Sequence, residues 1–406
     1  MFNPYRTLSR NTIVLPLTVG LVLTAYFAWS PLIALHLRNL GANEFQVGVV
    51  FSIFTLAHAL PAMFGGMLAD RIGRKWVITA PGAVLAPLYV LAGLTQDWVV
   101  LALLLTCTNF MGAMQWPAMQ ALMSESDEAQ RAHAFSFIEI FVLGAAIVGP
   151  LFGSLLLPWS GIGGLIVLHG VALIPATLVR TMELRETHHE AHRVAWEFQA
   201  WRDSIPRAAL WIIAANALFA LTLGLSFEGP FSALLANDVW KLNEQQIQWA
   251  NAAGAAVALM GVWLGGKADQ WGGRRIWIWS VIGFSVSLVG WGLAPRWEIG
   301  VVFFLVAHIF YETIFIVAET LLAQHSTRAT RSSVFGLMTT LSGFTSAAGP
   351  TLGAWAASRS SLAAPFLIGA VSLAASLGLL ARVPKVQAQA AAAIAPEEFV
   401  AAQLAE

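Results

Sequence analysis

Charge is scarce in this chain. Only 11% of its 406 residues are Asp, Glu, Lys or Arg, against 58% hydrophobic, whereas a soluble domain carries about 25% charged residues. So few charges cannot clothe a soluble protein of this size, and the solvent that suits such a chain is lipid. Basic and acidic residues balance at 22 each, which excludes the one-signed field that nucleic acid or an acidic polymer would require. Cysteine is nearly absent. Cys107 stands alone in an apolar run, so no disulfide forms within the chain. No Gly-x-x-x-x-Gly-Lys-Ser/Thr loop is present, so ATP is not expected as the energy source. His-Glu-x-x-His and Gly-x-Ser-x-Gly are also missing, which leaves an intramembrane enzyme without a recognisable catalytic set. No cofactor is expected.

What is present is a series of long apolar runs. A membrane helix needs roughly 20 mostly apolar residues, and twelve runs qualify: about 12–36, 45–67, 76–95, 98–122, 134–157, 162–181, 208–236, 246–266, 276–294, 298–322, 332–356 and 361–382. Without water each must satisfy its backbone internally, so all are expected to be helices. The first follows Arg6 and Arg10 and is too long for a signal peptide. With the N-terminus placed inside the cell, only Arg38, Lys241, Arg296 and Arg359 of the 22 basic residues fall outside. That bias puts both termini in the cytoplasm of a multi-pass inner-membrane protein.

The runs fall into two related sets. Gly66-x-x-Ala69-Asp70-x-x-Gly73 recurs as Gly265-x-x-Ala268-Asp269-x-x-Gly272, and Gly149-Pro150-x-x-Gly153 recurs as Gly349-Pro350-x-x-Gly353. Arg131 and Phe135 recur as Arg331 and Phe335. The expected organisation is an all-α polytopic protein of two pseudo-symmetric six-helix bundles, 1–182 and 208–383, with a cytoplasmic linker at 183–207 and a tail at 384–406. The linker is expected to hold an amphipathic helix, and the tail a short helix from Pro396. Repeats of this kind place a transporter's site between the halves near the bilayer midplane. The linker also carries His188-His189-Glu190-x-His192. His188 and His192 are spaced for a metal or a pH sensor, but a solvated linker is the simpler reading and no metal site is expected.

The segment Gly66-Met-Leu-Ala-Asp70-Arg71-Ile-Gly73-Arg74-Lys75 resembles the signature of the major facilitator superfamily between its second and third helices, and Asp269-Gln-Trp-Gly272-Gly273-Arg274-Arg275 resembles its degraded second copy. Physically, the glycines allow a tight turn, Asp70 is expected near the positive end of the eleventh helix, and Arg74 beside Glu125 or Asp127. Such contacts would lock the cytoplasmic side in one state. Gly144-x-x-x-x-Gly149-Pro150-x-x-Gly153 is similar to the antiporter motif of the drug:proton exporters, where small residues permit close packing and Pro150 kinks the helix. One departure weakens proton antiport: where those exporters often carry an Arg on the fourth helix, this chain has Thr108 before Gly112.

Ionisable groups at membrane depth are costly and usually face protein or a wet cavity. Here they are His58, Glu139, His169, Glu228, His308, Glu312 and Glu319, with no Lys or Arg well inside a run. The resemblance implies that helices 1, 4, 7 and 10 line a central cavity. On the tenth, Glu312, Phe315 and Glu319 lie within about 40° of His308 around the helix, and the stripe rises about 16 Å. One histidine and two carboxylates on a wet face are what a proton path needs, although a static polar clamp uses the same groups. Glu228 precedes Gly229-Pro230, matched by Ser30-Pro31 on the first helix, and paired breaks point to a site or its outer gate. Tyr26, Trp29, Tyr311 and Phe315 are candidate aromatic walls, and Asn109 and Gln115 candidate polar ones. Glu139 is read as a structural partner of Arg131 or of the loop after the second helix, and His58 as a packing residue; His169 has no assigned role.

Together these features predict a monomeric secondary transporter working by alternating access. Its partners are a small-molecule substrate, protons and the bilayer. A cavity with acids and no fixed cation favours neutral or cationic amphipathic substrates, exported in exchange for protons. A proton-coupled importer or facilitator of a small nutrient fits the same fold, and a transport-dead membrane sensor or assembly factor is the reading from another class.

Overall fold

A helix of 53 residues, Arg131–Glu183, would run about 80 Å if straight, more than twice the hydrocarbon thickness. It turns back at Gly161, whose φ of 62° lies in the region glycine alone enters cheaply. The computed structural model describes residues 8–127, 130–187, 205–326 and 331–384. The linker histidines and the tail lie outside them, as do the amphipathic and short helices expected there.

The traverses are numbered in chain order. α1 is Arg10–Asn39, α2 Glu44–Ile72, α3 Arg74–Leu94 and α4 Trp98–Ser126; α5 (131–160) and α6 (162–183) are the two arms around Gly161. α7 is Arg207–Asp238, α8 Glu244–Gly265, α9 Gly273–Gly292, α10 Trp297–Gln324, α11 Arg331–Arg359 and α12 Ala364–Leu380. Nine described segments are long and apolar enough to cross a membrane, one of them holding both α5 and α6. α12 is shorter, and α11 is rich in Ser, Thr, Gly and Ala. α11 compensates by packing closely on α2 and α7, where small side chains let backbones approach.

α1 packs on the α5–α6 arms, as does α3, while α9 and α8 pack on α10, and α12 and α11 on α7. Between these two sets the main contacts are α2 with α11 and α8 with α5. The second set is filled by Trp277, Phe284, Trp291 and Phe366, all buried. The molecule has a basic face, which carries Arg10, Arg71, Arg74 and Arg274, and a distal face.

At the basic face the expected turns form. Gly73 (φ 98°) and Gly272 (φ 86°) end one helix and begin the next in a conformation that strains any other residue. Arg74 pairs with Glu125, as expected, and its Nη2 donates to Asp70 at 3.1 Å. Asp127 instead accepts from the Ser9 backbone and hydroxyl at the start of α1. The Glu186 carboxylate accepts the backbone N–H groups of Arg74 and Lys75 at 3.0 and 3.1 Å, an acid at a helix N-terminus. In the second copy Arg274 donates to the Ala381 carbonyl. The packing of Gly66 and the side chains of Asp269, Arg131 and Arg331 fall outside what the structure describes.

Candidate functional site

Two breaks at matching places build the centre of the molecule. In α1 the helix stops at Phe27, passes through a 3-10 turn at Ser30–Leu32 and resumes at Ile33. Pro31 has no N–H to give, and the ring disfavours helix before it. In α7 the helix widens into π-type turns over Leu223–Phe227 and resumes at Phe231, past Gly229-Pro230. Each Gly-Pro-x-x-Gly motif props one break. Gly149 and Gly153 of α5 leave no room for a side chain against Phe27 and the Ala28 backbone, and Gly349 and Gly353 of α11 do the same against Gly224, Leu225 and Phe231.

The α7 break presents Glu228 to solvent within the interior of the molecule. The Tyr311 hydroxyl of α10 donates to its Oε1 at 3.2 Å. Across the interface, Tyr26 of α1 lies within electrostatic reach of Glu228. Phe227 stacks on Tyr311, ring centroids 5.0 Å apart, and meets His308 edge-on at 4.6 Å. Glu228, Tyr311 and Tyr26 therefore converge from α7, α10 and α1, with aromatic surface around one carboxylate. That arrangement suits a cation with apolar flanks.

The rest of the predicted stripe divides. His308 is half-buried between Phe227 and Phe304, its Nδ1 2.9 Å from the Phe304 carbonyl, and its ring fills the space beside Gly254 of α8. Glu312 is partly exposed, and Phe315 and Glu319 are exposed. Glu139 of α5 lies within electrostatic reach of both Glu312 and Glu319. Three carboxylates from opposite sides thus share the basic half of the interface, and nothing in the spacing of α5 alone pointed Glu139 there.

Other candidates sit behind the wall. Trp29 is only 4% exposed; its indole N–H donates to His169 Nδ1 at 3.2 Å, and His169 lies 4.1 Å from the Tyr89 ring. An indole can only donate, so Nδ1 is the bare nitrogen of this imidazole. Gln115 is buried, and the Asn109 amide bonds back to Leu105 O. Tyr26 and Tyr311 are the predicted aromatics that reach Glu228. His58 is exposed on α2.

The distal face is where the two sides join. Arg38 at the end of α1 pairs with Asp238 at the end of α7 and donates to Asn237 at 2.8 Å. Ser52 and Thr351 share hydroxyl protons at 2.7 Å between α2 and α11. On the other side Gln245 and Trp249 of α8 donate to Ser154 of α5, and Gln248 donates to the Ala28 carbonyl at 2.6 Å. These bonds between the two sides all lie at the distal face, while the Arg10–Glu183, Arg74–Glu125, Thr187–Glu125 and Arg274–Ala381 contacts of the basic face each stay within one side. The interface is therefore closed at its distal face. The sequence held a signal for this: Arg38 and Asp238 are 200 residues apart, the offset of the Gly-Pro repeat.

The comparisons agree with this architecture. The profile described as Major Facilitator Superfamily matches residues 16–235 and 217–404. The multidrug resistance protein MdtG of Dickeya zeae (strain Ech586) is 24% identical over 359 residues, covering 84% of this chain and 86% of that protein. Among solved structures, a bacterial homologue of the human lysosomal transporter Spinster, inward-facing and unoccupied, superposes with a TM-score of 0.72 at 17% identity, over 94% of this chain and 96% of the other. A bacterial homologue of the iron transporter ferroportin, also inward-facing, gives 0.71 at 16% identity, over 92% and 99%. With the profile covering both halves of a twelve-helix chain broken at α1 and α7, this protein belongs to the Major Facilitator Superfamily.

Proposed function

We propose that the chain exports neutral or cationic amphipathic small molecules by alternating access, in exchange for protons. The observation that carries this reading is Glu228, held by Tyr311 and within electrostatic reach of Tyr26, with no Lys or Arg well inside the runs that line the cleft. A relative named for multidrug resistance over most of its length supports the same direction. On this reading the basic face and both termini are cytoplasmic and the membrane is the cell (inner) membrane. Residues 1–182 and 208–383 are the two moving bundles, joined by 183–207, with 384–406 as a tail; the unit is a monomer and ATP takes no part. Glu228 and Glu312 exchange proton for substrate, His308 and Glu319 extend the proton path, and Tyr26, Tyr311 and Phe315 contact the substrate. Asp70, Arg71 and Arg74, with Arg274, form the cytoplasmic gate that engages when the distal face opens.

The test uses inside-out vesicles with an acid interior, following uptake of a lipophilic cation dye together with interior pH. Wild type takes up dye and dissipates the gradient, and Glu312→Gln does neither. Should wild type ignore both dye and gradient, export is wrong and a small-nutrient facilitator replaces it.

A further inference from the structure

We infer that Gln248 is a positioning residue that sets the balance between the closed and open states of the distal face. The inference rests on alternating access. Its origin is the α1 break. The Ala28 carbonyl has no donor in its own helix: Pro31 lacks an N–H, Leu32 N–H goes to Trp29 O, and Ile33 N–H goes to Ser30 O. The donor comes instead from the opposite side, as Gln248 Nε2 at 2.6 Å. A carbonyl can only accept, which fixes the amide orientation. Gln248 is 0% exposed, and its Oε1 is buried with no partner.

The two ends of one amide therefore pull in opposite directions. Donation to Ala28 holds the distal face shut. The orphaned oxygen carries a desolvation cost that opening relieves, because water then reaches it. An alternating transporter needs its two states near balance, and a ligand shifts that balance only through its differential affinity. At the matching place on α2 the chain has Gly48, packed on Pro350 and Ala354 with no polar side chain. The latch is thus one-sided.

The same helix reaches the proposed coupling groups. Gly254 seats the His308 ring, and Gly261 lies against Ile309 O and the Glu312 side chain. α8 is locked to α10 at these points, so a change at Glu312 or His308 moves the helix that carries Gln248. Binding events on α10 are read at the distal face through α8.

The experiment measures distance across the distal face by electron–electron resonance in nanodiscs. Spin labels sit at N39C and V239C, both exposed positions, after C107S removes the single native cysteine. Gln248→Glu keeps the shape and, measured at alkaline pH where the carboxyl is ionised, loses the donor; the outward-open fraction is expected to rise roughly tenfold, the range of a buried group left without its partner. Gln248→Met removes the donor and the orphaned oxygen together but leaves the Ala28 carbonyl bare, one unpaired buried acceptor exchanged for another, and is expected to stay near the wild-type outward fraction. Gln248→Asn stops a methylene short of Ala28, is expected to shift outward, and stands in if Gln248→Glu does not assemble. Equal shifts in the glutamate and methionine variants, or no shift in the glutamate and asparagine variants, overturn the latch. A wild type locked in one distance at every pH and substrate concentration sinks alternating access itself and the latch with it, which separates the two failures.

Discussion

The breaks in α1 and α7 share a backbone device and differ in what they hold. Each is made by proline, each is backed by Gly-Pro-x-x-Gly on a neighbouring helix, and each opens a gap in the backbone ladder. Behind the α1 break Trp29, His169 and Tyr89 form a buried cluster, with one hydrogen bond from Trp29 to His169 and the Tyr89 ring packed on both. Around the α7 break the polar groups turn to the cleft, with Glu228 and Tyr311. Duplication preserved the scaffold because glycine and proline act through the backbone. The side chains were free to specialise, one side as a wall and the other as the ligand-facing surface.

The comparison breaks most sharply at Glu228. Glu228→Gln is expected to lower cation export by more than about tenfold, the cost of roughly 1.4 kcal/mol or more of lost charge interaction. His169→Ala on the other side is expected to leave export within about twofold while costing about 1–3 kcal/mol of stability, since the Trp29 N–H is left buried without a partner. Export assays and thermal unfolding of the two variants check both. Export lost in His169→Ala at unchanged stability ends the wall reading.

Next come the props. Gly153→Val and Gly349→Val place methyl groups against backbone that has no rotamer to yield, and each is expected to cost about 1–3 kcal/mol. Similar losses of melting temperature support equivalent roles; a silent substitution on one side shows that its break stands without the prop.

The smallest effect belongs to the ion pair across the axis. Arg38→Asp is expected to slow export by about threefold, and adding Asp238→Arg is expected to restore most of it, in keeping with a partly exposed pair worth about 0–1 kcal/mol. A double variant no better than the single one removes Arg38 and Asp238 from the distal closure.

Most of the architecture was readable from local chemistry. Apolar length required helices, Lys and Arg asymmetry implied an orientation, and the spaced glycines and prolines marked turns, breaks and the repeat. Glu228 was legible because Gly229-Pro230 follows it. The sequence puts Trp29 on the cavity wall and the structure buries it against His169, because position on a helix gives a direction around the axis and cannot say what covers it. For Glu139 the sequence points to Arg131 or the loop after α2; the Arg131 side chain lies outside the described ones, and the structure adds Glu312 and Glu319, about 170–180 positions away, within electrostatic reach.

By itself, then, the sequence determined the membrane solvent, the twelve helices, the duplication and the positions of both breaks, because each follows from the hydrophobic effect or from backbone sterics within a few residues. Only the tertiary structure decided which face is closed, that Gln248 caps the α1 break from the opposite side, and that Tyr26 lies within electrostatic reach of Glu228. Those pairings join residues about 200 positions apart, and the close packing of whole helices, rather than any local preference, brings Gln248 within bonding distance of Ala28 and Tyr26 within electrostatic reach of Glu228.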